Sequence, residues 1–204
     1  GEGGAILINN KKFFNLIPGL RHNGHRTFKN QKAYWKPAIR DVYEDKVGLV
    51  PFNFPLTEIQ SAIGSKLLKR LPQLNKTREK RFFEFKKKLQ SFNFVKFQKI
   101  EIDNKSSHHL LPIFFDSRVK KINRDKFIDI MTKKHRVQVS VQYCPLYRYH
   151  FFKKYQKNQK LKNSDTFYDN MVSIPFYQWM SDKNFKYVIN STIKALQQIS
   201  KSNK

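Results

Sequence analysis

The sequence predicts a mixed fold of strands and helices, of the α/β or the α+β class. Short apolar runs with a period of two residues, such as VQVSVQY at 137–143, are typical of strands. Longer segments with apolar residues at helical spacing occur at 57–91 and from Ser181 to Leu196. With 204 residues and 39% hydrophobic content, the chain can bury a core and has the size of one domain or of part of a larger one.

The first half of the chain contains one short candidate strand and one long helical segment. AILI at residues 5–8 is predicted as a buried strand, and residues 19–56 are predicted to be mostly loop around one or two short helices. Thr57 has the character of a helix N-cap, and a first helix follows it. Pro72 is expected to kink or split that helix before a second, strongly basic run at 73–91.

The second half alternates between strand and helix signals. SHHLLPIFF at 107–115 is predicted as a strand, and Asn123 is expected to cap a helix that runs through Met131. A short helix is predicted to start at Ser164, and Ser181 is expected to cap a last amphipathic helix.

The charge is strongly positive, with 41 Lys and Arg against 15 Asp and Glu, a net charge of +26. Such a charge is compatible with a nucleic-acid-binding module, because neutralised phosphates release counterions. The lysines are spread along the whole chain, however, and no helix-turn-helix, zinc-finger or ribonucleoprotein motif is present. We therefore expect a solvated basic surface and no nucleic-acid partner, and we keep the nucleic-acid-binding module as an alternative.

Several other classes of protein have little support in the sequence. Cys144 is the only cysteine, which excludes an internal disulfide and favours a reducing, cytoplasmic location. No apolar run approaches the length of a membrane span, so no membrane partner is expected. Metal-ligand spacings are absent, and His108 and His109 would point to opposite faces of the predicted strand.

An aromatic segment, VSVQYCPLYRYHFFKKY at 139–155, follows the last predicted strand. Its rings could belong to the core, to a stacking surface for nucleic acid or to the wall of a ligand pocket. Because binding residues are common on loops, we interpret the rings around Arg148 as a pocket wall for an anionic, partly aromatic ligand. We expect the later rings, Phe151, Phe152 and Tyr155, to belong to the core.

Several stretches together, in this order, resemble one known family, the pyridoxal-phosphate-dependent sugar aminotransferases of the DegT type. The resemblance covers essentially the whole chain and implies an α/β fold, the C-terminal part of a fold-type-I aminotransferase. It implies that residues 1–50 end the large cofactor-binding domain, and that 51–204 form a linker helix and the small C-terminal domain. The stretches are GEGGAILIN, RHNG, FNFPLTEIQSAIGSKLLKRL, KTREKR, KSSHHLLPI, VSVQYCPLY and SDTFYDNMVSIPFY.

Two of these regions, KSSHHLLPI and VQYCPLYRYHFF, are similar to the branch of the family that acts in pseudaminic acid biosynthesis. The resemblance implies transamination at carbon 4 of a UDP-linked 4-keto-6-deoxy N-acetyl sugar, in surface-glycan or flagellin sugar biosynthesis. It implies pyridoxal 5'-phosphate as the cofactor, L-glutamate as the amino donor and a homodimer with active sites at the subunit interface.

The resemblance also assigns site residues. Asn53 matches an asparagine that reaches the neighbouring active site of the dimer, near the cofactor phosphate and the substrate. Leu146, Tyr147, Arg148 and Tyr149 match a loop that contacts the nucleotide-sugar. No catalytic residue is assigned, because the lysine that binds the cofactor is expected upstream of Gly1, so the chain is expected to be a fragment. His109 matches a histidine that we expect to be hydrogen-bonded within the small domain.

Three positions depart from the family pattern. Pro51 and Pro55 flank the Asn53 motif where the family usually has Gly and Arg, and Gln142 replaces a common His. The loss of the Arg removes an expected anion contact. A catalytically inactive remnant of the fold is therefore an alternative function.

Overall fold

The computed structural model describes residues 3–24, 51–155 and 161–201. The chain divides into two compact units, Gly1–Arg70 and Leu71–Lys204. The assignment of 1–50 and 51–204 to two family domains stays a prediction. Within the parts described, no helix is long and apolar enough to span a membrane.

The first unit contains helix α1 (Lys11–Leu20), whose start is capped by the Asn10 side chain accepting a hydrogen bond from the Lys12 backbone. A turn at residues 21–24 follows, in which Asn23 and Gly24 adopt positive φ. The backbone of this turn pairs with residues 52–54 of the same unit. The predicted strand at 5–8 is wrong, because the segment is irregular and has no strand partner in the described part of the chain.

Helix α2 (Glu58–Lys88) begins as the Thr57 prediction requires. The Gln60 backbone donates to the Thr57 hydroxyl at 3.3 Å, and the Gln60 side chain accepts from the Thr57 backbone at 3.0 Å, which is a capping box. The predicted break at Pro72 does not split the helix, which continues for 31 residues. Proline removes one backbone donor, and the regular turns on both sides keep the helix intact.

The second unit contains a three-stranded antiparallel sheet in the order β1 (Val95–Lys96), β2 (Leu111–Phe115) and β3 (Met171–Ile174). Strand β2 starts four residues later than predicted, and β3 was not predicted. The segment VQVSVQY forms only one bridge, Ser140 to Ser173. The inward face that its alternation predicts is nevertheless confirmed for Val137 and Val139, which are buried.

Helices pack on one face of this sheet. Helix α3 (Arg124–Asp129) is capped by Asn123 as predicted and continues into a π-helical turn, Ile130–Lys134. Helix α6 (Asp182–Lys201) begins at the Ser181 cap, whose hydroxyl accepts from the Asn184 backbone. The core that these elements share with the end of α2 includes Phe82, Phe85, Leu89, Leu111, Ile113, Phe115, Phe127, Met131, Val172, Phe185 and Leu196.

The opposite face of the sheet supports the candidate site. Phe114 alternates with the buried Phe115, so its side chain lies on the face away from the core. There it stacks on Phe167 of helix α5 (Lys162–Asn170), with ring centroids 6.2 Å apart. Helix α5 is thereby held against β2, and it carries the polar side chains of the site.

Candidate functional site

The segment predicted from the sequence to contact a ligand forms a short 3-10 turn, Leu146–Arg148, followed by helix α4 (His150–Lys153). Pro145 precedes the turn, and its carbonyl accepts from the Arg148 backbone at 2.9 Å. The Tyr149 backbone donates to the Leu146 carbonyl at 3.0 Å. Because the family resemblance predicts that residues 146–149 contact the nucleotide-sugar, we refer to them as the substrate loop.

Arg148 connects the substrate loop to α5 through two carboxylates. Its Nε donates to Asp165 at 2.7 Å, and its two terminal nitrogens donate to the two oxygens of Asp169 at 2.6 and 2.9 Å. Hydrogen bonds to Asp169 and then to Asp165 raise the pKa of Arg148, and the same contact holds the pKa of Asp169 below its ordinary value. We refer to Arg148, Asp165 and Asp169 as the Arg148 clasp.

Tyr168 lies beside the clasp. The Arg148 guanidinium lies 4.8 Å from the centre of its ring, and the Arg124 guanidinium lies 5.3 Å from it. Arg124 also donates to the Tyr168 carbonyl at 2.7 Å. A side-chain hydrogen bond with Cys144 and burial raise the pKa of the Tyr168 phenol. Cys144 therefore belongs to the packing of this cluster.

The other residues of the substrate loop differ in exposure. Tyr147 is half-buried, and its hydroxyl donates to Asp165 at 3.0 Å. Burial, followed by this contact, raises the pKa of Tyr147. Leu146 and Tyr149 are exposed. The loop thus has two side chains bound to α5 and two that face solvent.

The later rings of the aromatic segment contradict the expectation of a core. Phe151 and Tyr155 are each 64% exposed, and Phe152 is half-buried. They contact one another, with Phe151 meeting Phe152 edge-on at 5.1 Å. Aromatic content alone does not decide burial, because Phe151 and Phe152 are adjacent on the four-residue helix α4 and Tyr155 lies beyond its end, so the three rings do not share one inward face.

Asn53 belongs to the first unit, whereas the substrate loop belongs to the second. Its backbone forms an isolated antiparallel bridge with His22, and the neighbouring Phe52 and Phe54 bond to the turn at 21–24. Asn53 is exposed. The turn therefore fixes the backbone around Asn53 while its amide faces solvent.

The two adjacent histidines do not lie on a strand. His108 is buried, whereas His109 is exposed. The position inside the small domain that was expected for His109 is therefore occupied by His108. His108 has positive φ at 45°, which turns its side chain inward just before β2 begins. No cluster of three or more metal-ligating side chains occurs among the residues described.

Sequence reasoning missed the acidic half of the clasp. Asp165 and Asp169 lie four residues apart on α5, a spacing that places both on one face of the helix. That spacing was visible in the sequence. What could not be read was that an arginine 17 and 21 residues earlier packs against this face.

Comparison with known proteins gives the same family that the motifs suggest. The sequence profile of the DegT/DnrJ/EryC1/StrS aminotransferase family matches residues 1–193. The chain belongs to this family. The family assignment from the sequence and the predicted α/β fold, the C-terminal part of a fold-type-I aminotransferase, are thereby confirmed.

Among curated members, the UDP-4-amino-4,6-dideoxy-N-acetyl-beta-L-altrosamine transaminase of Campylobacter jejuni is 29% identical over 200 residues. That alignment covers 98% of this chain and 50% of the relative. The spore coat polysaccharide biosynthesis protein SpsC of Bacillus subtilis is 22% identical, over 94% of this chain and 49% of its own. The chain thus spans about half the length of the curated relatives that it matches.

Solved structures show the same fold. Helicobacter pylori PseC, an aminotransferase of pseudaminic acid biosynthesis, has a TM-score of 0.76 at 23% identity. The match covers 93% of this chain and 47% of PseC. The putative sugar aminotransferase Spr1654 from Streptococcus pneumoniae, in its PMP-form, has a TM-score of 0.74 at 18% identity, covering 94% of this chain and 47% of its own.

The described residues fit the implied pyridoxal phosphate only in part. The exposed amide of Asn53, on a fixed backbone, suits a hydrogen bond to a phosphate. The Arg148 guanidinium is already bound to two carboxylates, and none of the described lysines matches the family's cofactor-binding motif. The described residues therefore do not form a complete site for this cofactor.

Proposed function

We propose that this chain contributes part of a sugar-nucleotide aminotransferase. The proposed reaction transfers the amino group of L-glutamate to a UDP-linked 4-keto-6-deoxy N-acetyl sugar, with pyridoxal phosphate as cofactor, in pseudaminic acid biosynthesis. The observation that carries the proposal is the match, over 98% of this chain, to a relative named as a transaminase of this sugar class. The proposed assembly is a cytoplasmic homodimer.

The geometry of the substrate loop supports the nucleotide-sugar part of the proposal. Its turn is closed by backbone hydrogen bonds and attached to α5, so it is an ordered surface for a ligand. Leu146 and Tyr149 are exposed on it. A tyrosine ring offers a flat face and a hydroxyl, which suit a sugar or a base. We propose that Leu146, Tyr147, Arg148 and Tyr149 form one wall of the nucleotide-sugar site.

We also propose that Asn53 serves the cofactor phosphate or the substrate of the neighbouring subunit. Its amide is exposed and its backbone is paired with the turn at 21–24. An amide can donate two hydrogen bonds to an anion without carrying charge itself. The lysine that binds the cofactor is not assigned to any residue of this chain.

The test is amino transfer by the full-length product of the gene that encodes this chain. The assay contains pyridoxal phosphate, L-glutamate and the UDP-linked 4-keto sugar. We expect amino sugar and 2-oxoglutarate in equal amounts, and an Asn53→Ala variant of lower activity. A folded protein that binds the nucleotide-sugar but forms no product would instead identify the inactive remnant, to which Pro51, Pro55 and Gln142 point. A protein that neither binds nor reacts would refute the proposed function.

A further inference from the structure

We propose that Asp165 and Asp169 are positioning residues, which act through Arg148 to fix the substrate loop so that Leu146 and Tyr149 meet an uncharged ring of the nucleotide-sugar. The proposal rests on the proposed function and deepens it. It assigns to α5 a role that the family motifs do not suggest. Two of the four loop residues bind the loop to α5, and the other two contact the ligand.

The Arg148 guanidinium binds two carboxylates, those of Asp165 and Asp169. Asp169 receives two parallel hydrogen bonds, the bidentate arrangement in which arginine binds a carboxylate most strongly. Asp165 receives the Nε donor and also forms an ion pair with a terminal nitrogen. The Arg148 side chain is 29% exposed, whereas those of Asp165 and Asp169 are 38% and 52% exposed, so solvent screens the contact with Asp169 more than the contact with Asp165.

A second residue of the loop is fastened to the same helix. The Tyr147 hydroxyl donates to Asp165, so one carboxylate receives hydrogen bonds from two consecutive loop residues. The ring of Tyr168, between the two carboxylates in sequence, lies against the Arg148 guanidinium. Rotation of Arg148 away from α5 would therefore break the charged hydrogen bonds and the ring contact together.

The charge of the clasp determines which part of a nucleotide-sugar the loop can approach. One guanidinium is surrounded by two carboxylates, so the clasp carries more negative than positive charge. The neighbouring Arg124 is paired with Asp125. A diphosphate would find the Arg148 donors already occupied by carboxylates. The exposed Leu146 and Tyr149 suit an apolar or stacking contact instead, which a sugar or base ring provides.

The experiment compares wild type with an Asp165→Asn/Asp169→Asn double variant and with Asp129→Asn as a control. Asp129 is an exposed carboxylate of α3 that pairs with Lys133, so the control changes charge away from the clasp. Amide hydrogen exchange reports the order of residues 146–155, and titration with UDP-N-acetylglucosamine reports binding. We expect exchange in this segment to rise about tenfold in the double variant, and the affinity for the nucleotide-sugar to fall about tenfold.

Further measurements separate positioning from general stability. Exchange in β2 and α6 should stay as in wild type. The single variant Asp169→Glu, which keeps the carboxylate, should protect residues 146–155 better than the double variant does. Unchanged exchange of residues 146–155 in the double variant would overturn the proposal. Tighter binding of the nucleotide-sugar by the double variant would also overturn it, because a released Arg148 would then be contacting phosphate. Faster exchange with no binding by any variant would support the clasp and count against the proposed function.

Discussion

The imidazole of His108 stacks on the ring of Phe82, with centroids 4.2 Å apart and planes 29° apart. His108 is buried, and its backbone is left-handed at φ 45°. Burial lowers the pKa of His108 below its ordinary value of 6.5 because the charged imidazolium loses water; Glu79 opposes this shift and does not cancel it. The stack thus holds the neutral imidazole against α2.

This arrangement predicts a loss of stability in acid. Because the folded pKa lies below the unfolded one, the unfolded chain binds the proton first, and the free energy of unfolding falls as pH drops below about 6.5. His135, whose pKa is lowered by burial and by two lysines, acts in the same direction. Denaturant unfolding between pH 7.5 and 5 should therefore show a smaller pH dependence in His108→Asn than in wild type. His109→Asn, at an exposed position, should keep the full dependence; equal slopes in all three proteins would contradict the assignment.

Arg81 provides a second test, because it joins α2 to the segment before α6. It donates to the carbonyls of Tyr177, Gln178 and Met180 and to the Asp182 carboxylate, and its guanidinium lies 5.3 Å from the centre of the Phe185 ring. Arg81→Ala should lower the free energy of unfolding by about 2–3 kcal/mol, because the partly buried carbonyls of Gln178 and Met180 lose a charged donor. Asp182→Asn should cost less than about 0.5 kcal/mol, since this carboxylate is exposed. Chemical denaturation measures both losses. A loss in Asp182→Asn as large as that in Arg81→Ala would show that the ion pair, and not the bonds to the carbonyls, accounts for the stabilisation.

The capping box at the start of α2 predicts a local effect. Thr57→Ala removes the hydroxyl that accepts from the Gln60 backbone, which should cost the first turn about 1 kcal/mol. Amide exchange at Gln60 and Ser61, whose backbone N–H groups donate to Thr57, measures the loss. Thr77→Ala is the control, because the Thr77 hydroxyl donates to a carbonyl within the helix and caps nothing. Equal exchange in Thr57→Ala and wild type would show that the cap does not hold this turn.

The contrast between Phe85 and Phe151 tests which rings form the core. Phe85 is fully buried in α2, whereas Phe151 is 64% exposed. Phe85→Ala should lower the free energy of unfolding by about 3–5 kcal/mol through loss of burial and creation of a cavity. Phe151→Ala should change it by less than about 1 kcal/mol. Urea denaturation compares the two, and a large loss in Phe151→Ala would restore the sequence interpretation of this ring as core.

The sequence by itself determined the features that depend on neighbouring residues. Thr57, Asn123 and Ser181 were recognised as N-caps because the cap hydrogen bond lies within three residues. The alternation of Val137 and Val139 indicated their inward face. The family was also evident from the sequence, because its motifs are contiguous stretches in a constant order.

Only the tertiary structure decided the features that need partners distant in the chain. AILI at 5–8 has strand composition but no strand beside it in the described residues, and β3 forms because β2 supplies its hydrogen bonds. The burial of His108 rather than His109 depends on a positive φ and on the Phe82 ring. Arg148 shows the reason best: its guanidinium could serve phosphate or carboxylate equally well, and the fold places Asp165 and Asp169 within hydrogen-bond distance of it.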